Sequence, residues 1–189
     1  MTSRERMLTA LNNGRPDSLP CQVHGWMPYY LKKYLGGMDQ WQAFEKFGMD
    51  FAIYVSPEYK YDNRSLANWR KERKELGADS DGNLRWEEII ITPKGDLHHA
   101  GAWNDITGWE TEYPIKNIAD FEIWDEFYPV PIGIDFNQIR KAKDRLGERG
   151  VIRSHPFSPG QGSPWQSFCI LFDTEHAILL GMDEPETAI

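Results

Sequence analysis

Cysteine is scarce in this sequence: Cys21 and Cys169 are the only two among 189 residues. Two distant thiols exclude a disulfide scaffold and fit a reducing interior. Basic charge is short as well, with 21 Lys and Arg against 29 Asp and Glu and a net charge of −8. A general nucleic-acid binder needs the opposite balance to displace counterions from phosphates. A polybasic membrane-surface protein needs it to meet anionic lipid. Long apolar runs are missing too. Phe168-Cys169-Ile170-Leu171-Phe172 is about the longest, far below the roughly 20 residues of a membrane helix. Behind Met1-Thr2-Ser3-Arg4-Glu5-Arg6 stands no apolar signal-peptide core. The expectation is a soluble, cytoplasmic protein with no nucleic-acid or membrane partner. Aromatic residues, by contrast, are plentiful, with 8 Trp, 8 Tyr and 9 Phe. So many large apolar side chains demand a packed core, and the length suits one domain or slightly more.

Thr2 and Glu5 have the spacing of a capping box, and Met7, Leu8 and Leu11 follow at helical intervals until Gly14 and Pro16. Leu19 to His24 reads as a short strand closed by Gly25. Helices are expected from Pro28 to Leu35 and, capped by Asp39, through Trp41, Phe44 and Phe47 to Gly48. Phe51-Ala52-Ile53-Tyr54-Val55 is an apolar run of strand length. The chain then turns polar, and Trp69-Arg70-Lys71-Glu72-Arg73-Lys74 reads as a basic, solvated helix face. Arg85 to Thr92, the turn Pro93 to Asp96 and Leu97 to Ala100 spell a β-hairpin, with Trp109 to Tyr113 as a third antiparallel strand. Asn117 caps a helix carrying Phe121 and Trp124, and another helix runs from Phe136 to Leu146. Val151 to His155 is a strand, followed by a Gly/Pro/Ser loop and helical stretches from Trp165 to Phe172 and Thr174 to Leu180. Helices between short apolar strands imply βα units and a parallel sheet, interrupted by an antiparallel insertion near residues 57–114.

Certain motifs carry a resemblance. Thr2-Ser3-Arg4-Glu5-Arg6 followed by Pro16-Asp17-Ser18-Leu19-Pro20 resembles the opening of the uroporphyrinogen decarboxylase superfamily. Phe47-Gly48-Met49-Asp50-Phe51-Ala52-Ile53 is similar to its second-strand entry. Thr92-Pro93-Lys94-Gly95 and Pro114-Ile115-Lys116-Asn117 resemble the insertion of its methyltransferase-like branch. Leu180 to Glu186 resembles a segment that in the family precedes further barrel strands. The resemblance implies an α/β chain forming part of a (β/α)₈ TIM barrel, its amino-terminal half, with an antiparallel β-hairpin insertion. Such barrels usually need about 250 residues, so 1–189 is expected to be a single truncated or naturally short domain. A half barrel leaves a strand edge unpaired and calls for a homodimer or a complementary barrel half.

The same resemblance frames the chemistry. Decarboxylases of the family hold substrate carboxylates with arginines after the first strand, where this chain has Gln22-Val23-His24-Gly25-Trp26 and neither arginine. Their pyrrole-binding Asp falls at Pro57, and the nearest carboxylate is Glu58. The other branch comprises corrinoid-dependent methyltransferases, whose zinc activates a thiol. The zinc and thiol half of that barrel is missing here. Adjacent His98 and His99 point to opposite faces of a strand and cannot replace it. No metal ligands and no cofactor are therefore expected in this chain; corrinoid and zinc belong to the complete family member. The expected function is a methyltransferase-like protein acting on a small molecule. The alternatives are a tetrapyrrole decarboxylase-like lyase of porphyrin metabolism and a non-catalytic binding module or inactive fragment.

The candidate catalytic residues are Glu58 and His155, and the candidate substrate-binding residues are His24, Trp26, Tyr54 and Arg153. If strands 19–24, 51–55 and 151–155 are parallel neighbours, His24, Glu58 and His155 converge at their carboxyl rim. Each has a plainer reading: a hydrogen-bonded structural histidine, a solvated carboxylate, or an Arg153 paired with a structural acid. A binding module would instead display Trp86, Trp103 and Trp109 for stacking, unless they pack the insertion.

Overall fold

The computed structural model describes residues 1–154 and 163–183. Its first elements are α1 (Ser3–Leu11), α2 (Pro28–Tyr34), α3 (Gln40–Phe47), β1 (Phe51–Tyr54), β2 (Glu58–Lys60) and α4 (Asn63–Ala67). There follow β3 (Arg70–Ala78), β4 (Leu84–Thr92), β5 (Gly95–Trp103), β6 (Gly108–Glu112) and α5 (Ile118–Phe127). The chain closes with β7 (Gly133–Asp135), α6 (Asn137–Leu146), β8 (Gly150–Arg153), α7 (Pro164–Phe172) and α8 (Thr174–Asp183). Two compact units result: Met1–Tyr59 with Ile134–Ser154, and Lys60–Gly133 with His155–Ile189. The class is mixed α/β, with a parallel strand pair, a second small sheet of β2 and β7, and a four-stranded antiparallel sheet.

In the first unit, local chemistry sets the helices. Thr2 and Glu5 complete the capping box of α1, and Asp39 with Gln42 completes that of α3. Gly48 ends α3 at φ 60°, a left-handed conformation that glycine adopts without steric cost. Trp41, Phe44, Phe51, Ile53 and Leu146 form the core, so α3 and α6 cover β1. β1 pairs in parallel with β8, from Phe51 opposite Gly150 to Tyr54 opposite Arg153. At Gly150 a Cβ would meet the Phe51 carbonyl oxygen at 2.0 Å, so only glycine allows this approach.

The expected strand at 19–24 does not form; these residues are irregular. One ladder-like contact survives, the Asp50 N–H donating to the Cys21 carbonyl at 2.8 Å. Pro20 brings no donor, and Leu19 stands in solvent, so neither hydrogen bonding nor burial rewards a longer pairing.

In the second unit the hairpin forms as its turn dictates, and β3 to β6 follow one another in an antiparallel sheet. The Trp69–Lys74 stretch is not a helix. Arg70 begins β3, which pairs along β4 and sets Lys71 and Lys74 in ion pairs with Glu88 and Glu87. Trp69 is buried with Ile90 and Leu97 beneath Ile123, Trp124 and Phe127 of α5. Cross-strand partners that local sequence cannot display override the helical pattern. α5 also packs its Phe121 and Trp124 against Ile115, Leu171, Phe172 and Ala177. Among the described residues no helix is long and apolar enough to cross a membrane.

Candidate functional site

The parallel pair β1 and β8 ends with Tyr54 and Arg153 side by side. Backbone pairing continues one step further, Val55 N–H donating to the Arg153 carbonyl at 2.9 Å. The guanidinium turns back to His24, donating to its carbonyl at 3.3 Å and to its ring Nδ1 at 3.1 Å. An imidazole that accepts at Nδ1 keeps its proton on Nε2. The Arg153 guanidinium also lies 5.5 Å from the centre of the Tyr54 ring, within cation–π range. Among the described residues no carboxylate forms an ion pair with Arg153. A guanidinium carries five N–H donors in a fork suited to carboxylates. His24, Tyr54 and Arg153 therefore gather into one small cationic, aromatic corner at the carboxyl ends of parallel strands.

The other sequence candidates fall elsewhere. Glu58 opens β2 as an exposed residue, and among the described residues no ion pair links it to this corner. His155 lies outside the described residues. Trp26 is committed to packing: it stacks 5.7 Å from Phe47 and meets Phe44 edge-on at 5.8 Å. Among the described residues its buried indole N–H finds no hydrogen-bond partner.

A polar row that sequence reasoning missed crosses the antiparallel sheet. Buried Glu88 takes Lys71 Nζ at 2.9 Å and His99 Nε2 at 2.8 Å, and Glu110 faces the other His99 nitrogen at 3.6 Å. Burial pushes the Glu88 carboxyl up, but Lys71 and His99 together hold it below the ordinary carboxylate range. Trp86 meets the His99 ring edge-on at 5.1 Å and carries the Arg73 guanidinium 4.1 Å above its own ring. A usable signal existed: the two-residue turn Pro93-Lys94 sets Thr92 opposite Gly95 and hence Glu88 opposite His99. The row reads as interior charge pairing of the sheet.

A third group lines a cavity of about 330 Å³, with Lys116, Ile118, Phe172, His176, Leu179 and Asp183 in its wall. His176 Nδ1 lies 2.5 Å from the Asp173 carboxylate. Hydrogen bonding to Asp173 raises the His176 pKa. Burial raises Asp173, but the His176 backbone and ring outweigh it and lower the carboxyl.

Trp86 is buried, while Trp103 and Trp109 are half-exposed on opposite faces of the sheet, so the three make no common stacking platform. Cys21 is exposed and Cys169 half-buried. Among the described residues no three His, Cys, Asp or Glu side chains gather as metal ligands.

The chain matches no protein-family model, no curated protein and no solved structure.

Proposed function

We propose that the chain is a uroporphyrinogen decarboxylase superfamily protein of the corrinoid-dependent methyltransferase-like branch. In this reading it forms the amino-terminal half of a (β/α)₈ barrel and binds a carboxylate-bearing small molecule at the carboxyl ends of β1 and β8. The observation that carries the reading is Arg153, bonded to His24 and, among the described residues, to no acid, at the end of a parallel strand. Strand carboxyl ends are where barrels and open α/β sheets place their ligands. Arg153 grips the carboxylate, His24 orients the guanidinium, and Tyr54 offers a ring face and a hydroxyl beside it. Zinc and corrinoid chemistry belongs to the half of the barrel outside this chain, and no step of it is assigned to these residues. The decarboxylase reading is weaker, because the loop after residue 21 has neither of the arginines that hold porphyrinogen carboxylates. The non-catalytic reading draws no support from the tryptophans.

Calorimetric titration of the chain with small mono- and dicarboxylates and their methyl esters tests the proposal. The acids bind and the esters do not. Arg153→Met weakens acid binding by about 10- to 100-fold, the worth of one charge-assisted hydrogen bond at about 1.5–3 kcal/mol. Wild-type affinity in Arg153→Met ends the proposal.

A further inference from the structure

From Leu19 to Met38 the sequence contains no Asp or Glu, in a chain whose acids outnumber its bases 29 to 21. The same stretch holds Trp26, Tyr29, Tyr30 and Tyr34 together with Lys32 and Lys33. Folding turns it, with α3, into a continuous file of rings within the first unit. Phe47 stacks on Trp26 at 5.7 Å, Trp26 on Tyr30 at 6.3 Å, and Tyr30 leans on Tyr34 at 5.3 Å. Tyr29 closes the file edge-on to Tyr34, and the Lys33 ammonium lies 4.9 and 5.4 Å from those two ring centres. Met27, Tyr30 and Phe47 are exposed, and Tyr34 is the most open ring at 59%. Lys32, Lys33 and Lys46 are exposed on the same two helices. Contiguous exposed aromatics rimmed by charge mark an interaction surface, and tyrosine is among the residues that dominate binding energy.

We propose that this aromatic file is a docking surface for an acidic, amphipathic segment of another protein. The partner lays its apolar side chains on Tyr30, Tyr34 and Phe47 and its carboxylates on Lys32 and Lys46, while the Lys33 ammonium donates to the Tyr29 hydroxyl. Charge complementarity selects this occupant. A second copy meeting the surface face to face sets lysines against lysines. An anionic bilayer is attracted to the same lysines, and the vesicle arm of the experiment separates it from the peptide. The proposal is independent of the Arg153 corner, which none of these residues joins.

Fluorescence anisotropy of the whole chain with a labelled synthetic peptide of Glu, Leu and Phe at helical spacing tests it. A counterpart with every Glu replaced by Lys serves as control. The acidic peptide binds at least roughly tenfold more tightly than the control, and added salt weakens it by screening. The double variant Lys32→Glu, Lys46→Glu loses at least roughly tenfold in affinity with unchanged circular dichroism and melting, and Tyr34→Ser also weakens binding. Equal affinity for both peptides, no binding, or full affinity in the charge-reversed variant overturns the proposal. So does preferential binding to phosphatidylcholine–phosphatidylglycerol vesicles, or a dimer in sedimentation that Tyr34→Ser dissolves.

Discussion

Asp50 sits buried at the entry to β1 and joins segments distant in sequence. Its carboxylate takes the Cys21 N–H at 2.9 Å and the Arg6 guanidinium at 2.6 Å, and Arg6 holds Asp17 as well at 2.7 Å. Burial pushes Asp50 up, yet the Cys21 amide and Arg6 leave its carboxyl below the ordinary 3.8. Asp17, bonded to Arg6, is lowered too. Asp50→Ala leaves the Cys21 amide without its acceptor and is expected to cost about 1–3 kcal/mol, measured as the shift in denaturant midpoint. A depressed carboxyl contributes stability above its unfolded pKa and loses it as pH falls through the folded one. The stability gap between wild type and Asp50→Ala is therefore expected to close in acid. His176 runs the other way. Its pKa is raised by Asp173, so its contribution is complete below its ordinary 6.5 and disappears as pH rises through the raised value. His176→Gln is expected to differ from wild type in urea melts at slightly acidic pH and to converge with it in alkali. A constant difference across that range would show that Asp173 does not act on a charged imidazole.

At the scale of elements, two glycines set how closely strands approach. Gly150 passes against Phe51 in the parallel pair. Gly101 lies under the Trp86 ring, where a Cβ would come within 2.5 Å of the indole and 2.7 Å of the Trp109 carbonyl. Gly101→Ala is expected to displace Trp86 and lower the melting temperature, at a cost of overpacking of about 1–3 kcal/mol. Gly150→Ala is expected to be worse, because its nearest obstacle is the Phe51 backbone carbonyl at 2.0 Å, closer than either obstacle at Gly101. Amide exchange can read this locally: protection of Ile53 and Ile152 falls in Gly150→Ala, while β4 and β5 stay protected. The sheet of β3 to β6 manages its own edge by charge, since every residue of β3 is exposed and most are Lys, Arg or Glu.

For the whole molecule, the decisive features are what its residues gather and what they leave apart. Metal analysis of the purified chain is expected to find no stoichiometric zinc. One tightly held zinc per chain, lost on replacing Cys21 or Cys169, would overturn the proposal that zinc chemistry lies outside these residues. Uroporphyrinogen is expected to survive incubation with the chain. Turnover to coproporphyrinogen would overturn the preference for the methyltransferase-like reading proposed above. The acidic balance bears on association: a net charge of −8 attracts basic surfaces to most of the chain, and the acid-free stretch from Leu19 to Met38 is the exception.

The sequence by itself determined what local rules govern. The capping boxes at Thr2 and Asp39, the Gly48 stop, the Pro93-Lys94 turn and the Asn117 cap each act within a few residues, and the elements stand where those residues put them. The apolar run at 51–55 announced a strand because a strand buried on its faces must be apolar along its length, and the stretch at 151–155 announced another; β1 and β8 stand at 51–54 and 150–153. What depends on partners distant in the chain was decided only by the tertiary structure. Trp69 to Lys74 carries a charge pattern compatible with a helix face, and only β4 makes it a strand. The stretch at 19–24 has strand-like residues but finds a single backbone contact. Arg153 and Tyr54 were legible as rim residues, yet the choice of His24 rather than an acid as the guanidinium's partner spans 129 residues. Such contacts follow from which surfaces meet, and no spacing along the chain records that.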